Sequence, residues 1–229
     1  LALNWVVGAL PEGGVYDDAN DTISWEASVD QVFQSYAVQF LVTDGVRQDS
    51  RIVSVEVLSN AIYSTDMGED PNWTCDEGWS WGALNTAPGP RNYDPPGAKT
   101  GDFVLAYARW GNYKNNLGKT AYATTPAIDC RGFKDIRLSF WRWLTVESPD
   151  DYAGVQVSND GVNWTDLWVA GKPSVVDETW QSVEYTVPPE IGDDQATLYF
   201  RWGFGPTDAV SNYGGWNIDD VQVAGKSIR

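Results

Sequence analysis

Apolar and polar residues alternate with a period of two from one end of the chain to the other, and helical periodicity is hard to find. In Y-A-V-Q-F-L-V at 36 to 42, Tyr36, Val38, Phe40 and Val42 share a face, and in I-V-S-V-E-V at 52 to 57 so do Val53, Val55 and Val57. Further strands are predicted at 138 to 144 (L-S-F-W-R-W-L), 153 to 158 (A-G-V-Q-V-S) and 198 to 204 (L-Y-F-R-W-G-F). Turn chemistry separates them at Pro11-Glu12-Gly13-Gly14, Thr43-Asp44-Gly45, Asn159-Asp160-Gly161 and Ile191-Gly192-Asp193-Asp194. The pattern predicts an all-β chain.

The faces of these strands differ. Leu198, Phe200, Trp202 and Phe204 make one apolar face, which puts Trp202 in a core and Tyr199 and Arg201 opposite it. In 138 to 144 both faces are apolar, Trp141 and Trp143 standing opposite Leu138, Phe140 and Leu144. That strand is central, with a second face that is covered or binds something, and Arg142 and Arg201 are placed to pair with acids beside the rings. The last strand breaks the period. Trp216, Ile218, Val221 and Val223 are spaced two, three, two, which is what a β-bulge at Asp219 and Asp220 would produce. Both carboxylates then lean to one side and repel unless a cation or several N–H donors sit between them. A strand buried on both faces, without a bulge, is the competing account.

Composition shifts near Leu58 to Thr65, from a strand-turn-strand pattern to a stretch rich in Pro, Gly and Trp. The chain accordingly divides into domains at 1–60 and 61–229. Residues 76 to 100, with Pro88-Gly89-Pro90 and Pro95-Pro96-Gly97, read as a long ordered loop because aromatics that need burial are interleaved with the breakers.

Charge and residue usage remove whole classes of function. The chain carries 32 acidic and 15 basic residues in 229, a formal charge of -17. Such a field repels phosphate backbones and anionic lipid, so neither nucleic acid nor a membrane surface is an expected partner. The absence of histidine removes Ser-His-Asp and Cys-His nucleophile systems and His-ligated zinc. No apolar run approaches the ~20 residues needed to span a bilayer, and no charged-then-apolar leader is present. The opening at Leu1 reads as a processed product or an excised piece. The two cysteines, Cys75 and Cys130, read as one disulfide closing a long loop, the alternative being two buried free thiols. Asn20, Asn72 and Asn163 begin Asn-x-Thr sequons.

The run L-P-E-G-G-V-Y-D-D-A-N-D-T-I-S-W-E-A-S at 10 to 28, then Y-A-V-Q-F-L-V-T-D-G at 36 to 45 and a valine-rich strand, resembles the bacterial putative-Ig, or cadherin-like, modules of extracellular proteins. The resemblance implies a spacer or adhesive unit. Such a sandwich has about 7 strands in ~100 residues, and this segment offers about 5, so its first strand or strands are missing. A fragment or shortened domain explains that. So does a strand donated by a neighbouring chain, which would build a fibre of this chain with itself.

Beyond residue 62 come D-M-G-E-D-P-N-W-T, W-S-W-G, D-P-P-G-A-K-T-G-D-F-V-L, A-T-T-P-A-I-D-C-R-G-F-K-D-I-R-L-S-F-W-R-W-L, V-Q-V-S-N-D-G-V-N-W-T-D-L-W and finally G-G-W-N-I-D-D-V. This order resembles the jelly-roll family of MAM domains, cleaved-adhesin domains and choice-of-anchor J modules. The resemblance implies a non-catalytic module of secreted or surface proteins with a structural Ca²⁺ held by Asp66, Asp94, Asp219 and Asp220. Carboxylates from distant segments suit that ion's demand for ~6 to 8 oxygens. As a catalytic pair, adjacent acids on one strand do not supply the ~5 to 9.5 Å separation of glycosidase carboxylates, and no catalytic residue is assigned. The loop aromatics Trp81, Tyr93, Trp110 and Tyr113 are the candidates for ligand binding, burial under the long loop being their competing fate. The expectation is therefore two tandem β-sandwiches, an incomplete Ig/cadherin-like domain and a calcium-stabilised jelly roll. They would serve extracellular adhesion or scaffolding through a protein or glycan ligand; a carbohydrate-binding accessory module and a fibre subunit are the alternatives.

Overall fold

The alternating segments become strands in a computed structural model that describes residues 4–8, 10–20, 22–25, 35–44, 46–56, 60–84 and 93–228. The chain divides into two units, Leu1–Asn60 and Ala61–Arg229. In the first, β1 (Asn4–Val7), β4 (Ser35–Thr43) and β5 (Gln48–Glu56) form an antiparallel sheet in the order β1-β4-β5, while β2 (Val15–Asp17) and β3 (Thr22–Ser24) form a hairpin. The β4–β5 ladder is unbroken from Ser35↔Glu56 to Thr43↔Gln48. Asp44 closes it, its carboxylate accepting the N–H groups of Val46 and Arg47 at 2.9 and 2.6 Å, which is why an aspartate stands at this turn. Val57, assigned to the strand at 52 to 57, lies outside the described residues.

The second unit is a sandwich of two sheets. Its strands are β6 (Asn60–Thr65), β7 (Thr74–Cys75), β8 (Trp79–Ala83), β9 (Phe103–Tyr107), β10 (Ala121–Thr124), β11 (Phe133–Val146) and β12 (Ala153–Ser158). There follow β13 (Thr165–Val169), β14 (Val175–Val176), β15 (Gln181–Thr186), one helical turn α1 (Pro189–Gly192), β16 (Tyr199–Phe204) and β17 (Gly215–Ser227). One sheet has the order β13-β12-β16-β10-β7; the other runs β14-β11-β17-β9-β8, with β15 on β11 and β6 on β17. Leu198, Phe200, Trp202 and Phe204 are all fully buried between the sheets. The Trp202 indole stacks on Trp73 at 4.8 Å and meets Phe140 of the opposite sheet edge-on at 5.2 Å. Burial of large aromatics at this density dominates the stabilisation, at roughly 25 cal/mol per Å² of apolar surface removed from water.

Strand β11 is central, and its second face is covered. Trp143 donates its indole N–H to the Tyr93 carbonyl at 2.9 Å, Trp180 donates to Gly97 at 3.2 Å, and the Lys99 ammonium lies 3.8 Å from the Trp141 ring. The segment 93–100 thus roofs the tryptophans. Part of the loop expected at 76 to 100 is strand, however: Trp79, Trp81 and Ala83 alternate with Ser80 and Gly82, and β8 pairs in full register with β9. On the inner face Arg142 makes a two-pronged ion pair with Asp177 at 2.9 and 3.1 Å. Arg201 lies instead between the rings of Tyr122 and Trp164, at 3.8 and 3.9 Å, and its hydrogen-bond partner is the amide of Gln156.

The broken spacing in the last strand is a bulge. Ser139 faces Gln222, but Trp141 faces Asp219, so two steps along β11 oppose three along β17. Asp220 takes φ +47° to accommodate the extra residue, a left-handed conformation that aspartate tolerates better than most side chains.

The expected disulfide is not formed. Cys75 and Cys130 are free thiols, the first exposed and the second buried. Their register explains this. Cys75 lies opposite Ala123, which lies opposite Trp202, whereas Cys130 donates its N–H to Gln195. From the Leu198 bridge to Trp202 alone the chain advances four residues, about 13 Å at ~3.3 Å per residue, beyond the ~7 Å at which a disulfide closes. Burial pushes the Cys130 thiol up to about 12. A maleimide reagent is expected to modify one thiol of the native protein, at Cys75, and the second only after unfolding. Unreduced, denatured protein with no reactive thiol would restore the disulfide.

Candidate functional site

Between the ends of β9 and β10 the chain makes an irregular excursion, residues 108 to 120, and one side chain decides its course. Tyr113 is 1% exposed, its ring tilted against Phe204 at 4.7 Å and its hydroxyl donating to the Asp151 carboxylate at 2.6 Å. Burial, with Asp151 beside it, pushes the phenol well above the ordinary tyrosine range. Asp151 is itself fully buried, and its other oxygen accepts the Asp208 N–H at 2.8 Å. Around this anchor the excursion is pinned to the connection between β16 and β17. Tyr113 N–H donates to Tyr213, Asn116 N–H to Asp208, and Leu117 N–H to the Thr207 hydroxyl, which donates in turn to Lys114.

The pinned excursion and the segment leading into β8 enclose a groove of about 650 Å³, with Trp79 and Tyr107 among the residues lining it and Trp110, Asn112, Lys114, Asn116 and Lys119 along the excursion side. Two glycines shape the β8 side. Gly78, at φ +100°, lets the Tyr107 ring lie where a Cβ would be 2.4 Å from it, and Gly82 does the same for the Arg109 guanidinium at 2.5 Å. Arg109 is thereby held flat, donating to the Ser80 hydroxyl at 3.1 Å and the Ala83 carbonyl at 2.6 Å. Its guanidinium carbon sits 4.1 Å from the Trp110 ring centre. Trp110 is 67% exposed. Trp110 is therefore a large aromatic left in water at the rim of a polar groove.

The four aromatics nominated from sequence have different fates. Trp110 borders the groove with its ring in solvent. Tyr113 lines it from beneath as the anchor. Trp81 is half-buried, stacked on Phe103 at 5.0 Å with its N–H on the Met67 carbonyl, and lines a separate hollow of about 200 Å³ beside Trp73 and Cys75. Tyr93 is half-buried, edge-on to Tyr213 at 4.7 Å.

The four aspartates nominated for calcium are likewise dispersed: no three of them have carboxylate oxygens within 4.8 Å of one another. Asp66 is exposed and caps its own turn through the Gly68 N–H at 2.9 Å. Asp94 is half-buried, 3.4 Å from the Asn217 amide, and burial pushes its carboxyl up to about 6. Asp219 is fully buried, which also pushes it up to about 6, even though one of its oxygens accepts the N–H groups of Lys99 and Thr100 at 2.8 and 3.2 Å and the other that of Asp220 at 2.8 Å. Asp220 accepts the Thr100 hydroxyl at 2.5 Å. Donors from residues 99 and 100 meet both carboxylates of the bulge.

A different set of acids does converge. Carboxylate oxygens of Glu147, Asp151 and Asp208 lie within 4.8 Å of one another. The Glu147 Oε2 is buried without a hydrogen-bond partner among the described residues. Two oxygens sharing a Ca²⁺ at ~2.3 to 2.6 Å stand up to ~5 Å apart, so this group could hold a metal ion. Sequence reasoning missed it because its members sit in loops, E-S-P-D-D and P-T-D, where no periodicity reports which acids meet.

No protein-family model matches this sequence, and no curated protein does. Several solved β-sandwich structures are similar in outline. One, described for the promiscuous specificity of carbohydrate-binding modules of the β-sandwich superfamily, aligns at 15% identity over 82% of this chain and 73% of that one, with a TM-score of 0.48. The CBM22-1 xylan-binding domain of Paenibacillus barcinonensis Xyn10C aligns at 12% identity over 75% and 97%, TM-score 0.45. The K2 cleaved adhesin domain of Lys-gingipain does so at 17% identity over 71% and 98%, TM-score 0.43.

Replacing Tyr113 by Phe removes the hydroxyl from a buried carboxylate. It is expected to lower the unfolding free energy by about 1.5 to 3 kcal/mol, the worth of a hydrogen bond to a charged group. Denaturant titration measures this, and a loss under ~0.5 kcal/mol would show that the anchor is its ring alone.

Proposed function

We propose that the chain is a non-catalytic extracellular binding module and that its second unit takes a glycan in the groove beside Trp110. The observation that supports this reading is the exposed indole itself. One face of Trp110 is backed by Arg109, which fixes the ring's orientation, and most of the remaining surface is in water. A flat apolar face of this size matches the C–H face of a pyranose ring. The Asn116 amide, the amide oxygen of Asn112, whose N–H group is taken by Asn212, and the charged side chains of the groove supply the donors and acceptors that hydroxyl groups require. The adjacent acids Asp219 and Asp220 are engaged by residues 99 and 100, a use that serves the fold. Adhesion or scaffolding at a glycan-bearing surface is the role this gives the chain, with the first unit as a spacer.

Replacing Trp110 by Ala is the test. Retention on the polysaccharides that the wild-type chain binds, measured by affinity electrophoresis, is expected to fall about 5- to 30-fold, the ~1 to 2 kcal/mol of a stacked ring, with no change in melting temperature. Undiminished retention would remove the groove from the reading.

A structural calcium belongs to the same reading, with Glu147, Asp151 and Asp208 as the group that would hold it. The ion would offset the mutual repulsion of three clustered carboxylates and brace the base of the excursion that carries Trp110. EGTA is expected to lower the melting temperature by several degrees, because a ligand that binds only the folded state stabilises it, and Asp151→Asn should abolish that difference. An unchanged midpoint together with no calcium by elemental analysis would discard the ion.

A further inference from the structure

The charges of the groove run against those of the chain. Acidic residues outnumber basic ones 32 to 15 overall, yet Arg109, Lys114 and Lys119 line the groove against two acids, Asp76 and Glu77. Asp76 is occupied, its carboxylate accepting the Tyr122 N–H at 2.9 Å. The cations have no acidic partner. The ion pairs among the described residues are Arg131–Asp129, Arg137–Glu184, Arg142–Asp177 and Lys226–Asp135, and none involves a groove residue. In a chain with so large an excess of carboxylates, Lys114 and Lys119 stand without an acid in contact and are available to something else, and Arg109, although hydrogen-bonded to Ser80 and Ala83, keeps a positive charge that no acid neutralises. Arg109 is also pre-positioned: the missing side chain of Gly82 and the two hydrogen bonds to Ser80 and Ala83 hold its guanidinium behind the indole.

From this we infer that the ligand of the groove is an anionic saccharide, one whose rings carry carboxylate or sulfate groups. The inference rests on the glycan reading of the same groove and adds the charge of the sugar to it. A pyranose stacked on the open face of Trp110 brings its substituents toward the neighbouring lysines. There a carboxylate gains charge-assisted hydrogen bonds that a hydroxymethyl group cannot make. The acidic remainder of the surface does not oppose this strongly, because charges more than ~8 Å away are largely screened at physiological ionic strength. It repels a polyanion everywhere else, so binding is confined to the groove.

The test compares one polymer in two charge states. The full chain is titrated calorimetrically, at about 0.15 M salt, with polygalacturonate and with the same polymer after its carboxyl groups are reduced to neutral hydroxymethyl groups. Chondroitin sulfate and its desulfated form make a second pair that separates sulfate from carboxylate. At least one charged polymer is expected to bind about tenfold or more tightly than its neutral counterpart, the sum of two or three partly exposed ion pairs. The double variant Lys114→Gln, Lys119→Gln, with its melting temperature unchanged, should lose that preference while still binding the neutral polymer. Equal affinity for charged and neutral forms, abolished by Trp110→Ala, overturns the inference and leaves the glycan reading standing. Binding of no polymer overturns both.

Discussion

The groove depends on a buried carboxylate. Asp151 lies out of water, a costly place for an ionisable group, and is kept there by Tyr113 on one oxygen and the Asp208 backbone on the other. Three connections meet at that side chain: the excursion between β9 and β10, the link between β11 and β12 that contains Asp151, and the link between β16 and β17. None has regular structure of its own. They are tied together by sharing one acceptor inside the sandwich edge, so the course of the excursion that carries Trp110 is set by a residue that does not line the groove. Loops on a packed scaffold are ordinarily the mobile part of a β-sandwich; here three of them are joined through a single polar node.

At Asp219 and Asp220 the same logic appears with another outcome. An extra residue in β17 turns two carboxylates toward one side, and residues 99 and 100 answer with backbone and hydroxyl donors. Those donors are held by the segment that roofs Trp141, Trp143 and Trp180. The bulge is thus a clamp, fixing an irregular stretch of chain over an aromatic face that would otherwise be exposed.

Much of the fold was legible because period-two alternation is a local signal. The four inward residues of 198 to 204, the doubly apolar strand at 138 to 144 and the spacing fault in the last strand each report what neighbouring residues must do on a pleat. Contacts between distant segments left no such mark. Asp151 and Tyr113 are 38 positions apart, and nothing in E-S-P-D-D distinguishes the fully buried Asp151 from the exposed Asp150 beside it. The partners of Asp219 are backbone N–H groups, which every residue but proline carries, so the sequence could pose the choice between ion and donors without resolving it. The cysteines failed for the related reason that register, not residue count, determines whether two thiols meet. Trp110 was one of four loop aromatics named together, and what separates it from Trp81 and Tyr93 is packing, visible only once the excursion has a course.

The position of β17 has a consequence for how the second unit comes into being. This strand lies in the interior of its sheet, between β11 and β9, with β6 also pairing to it, yet it follows every other strand of the unit in sequence. Until residues 215 to 227 have emerged during synthesis, the sheet has a gap at its centre, and the two halves on either side are without their shared hydrogen-bonding partner. Folding of this unit must therefore wait for its final strand and proceed after nearly the whole unit is available, dominated by the slow closure of long-range pairings. In the interval, the unpaired edges of β9 and β11 face each other across the vacancy. They exclude foreign strands only as fast as β17 arrives to fill it.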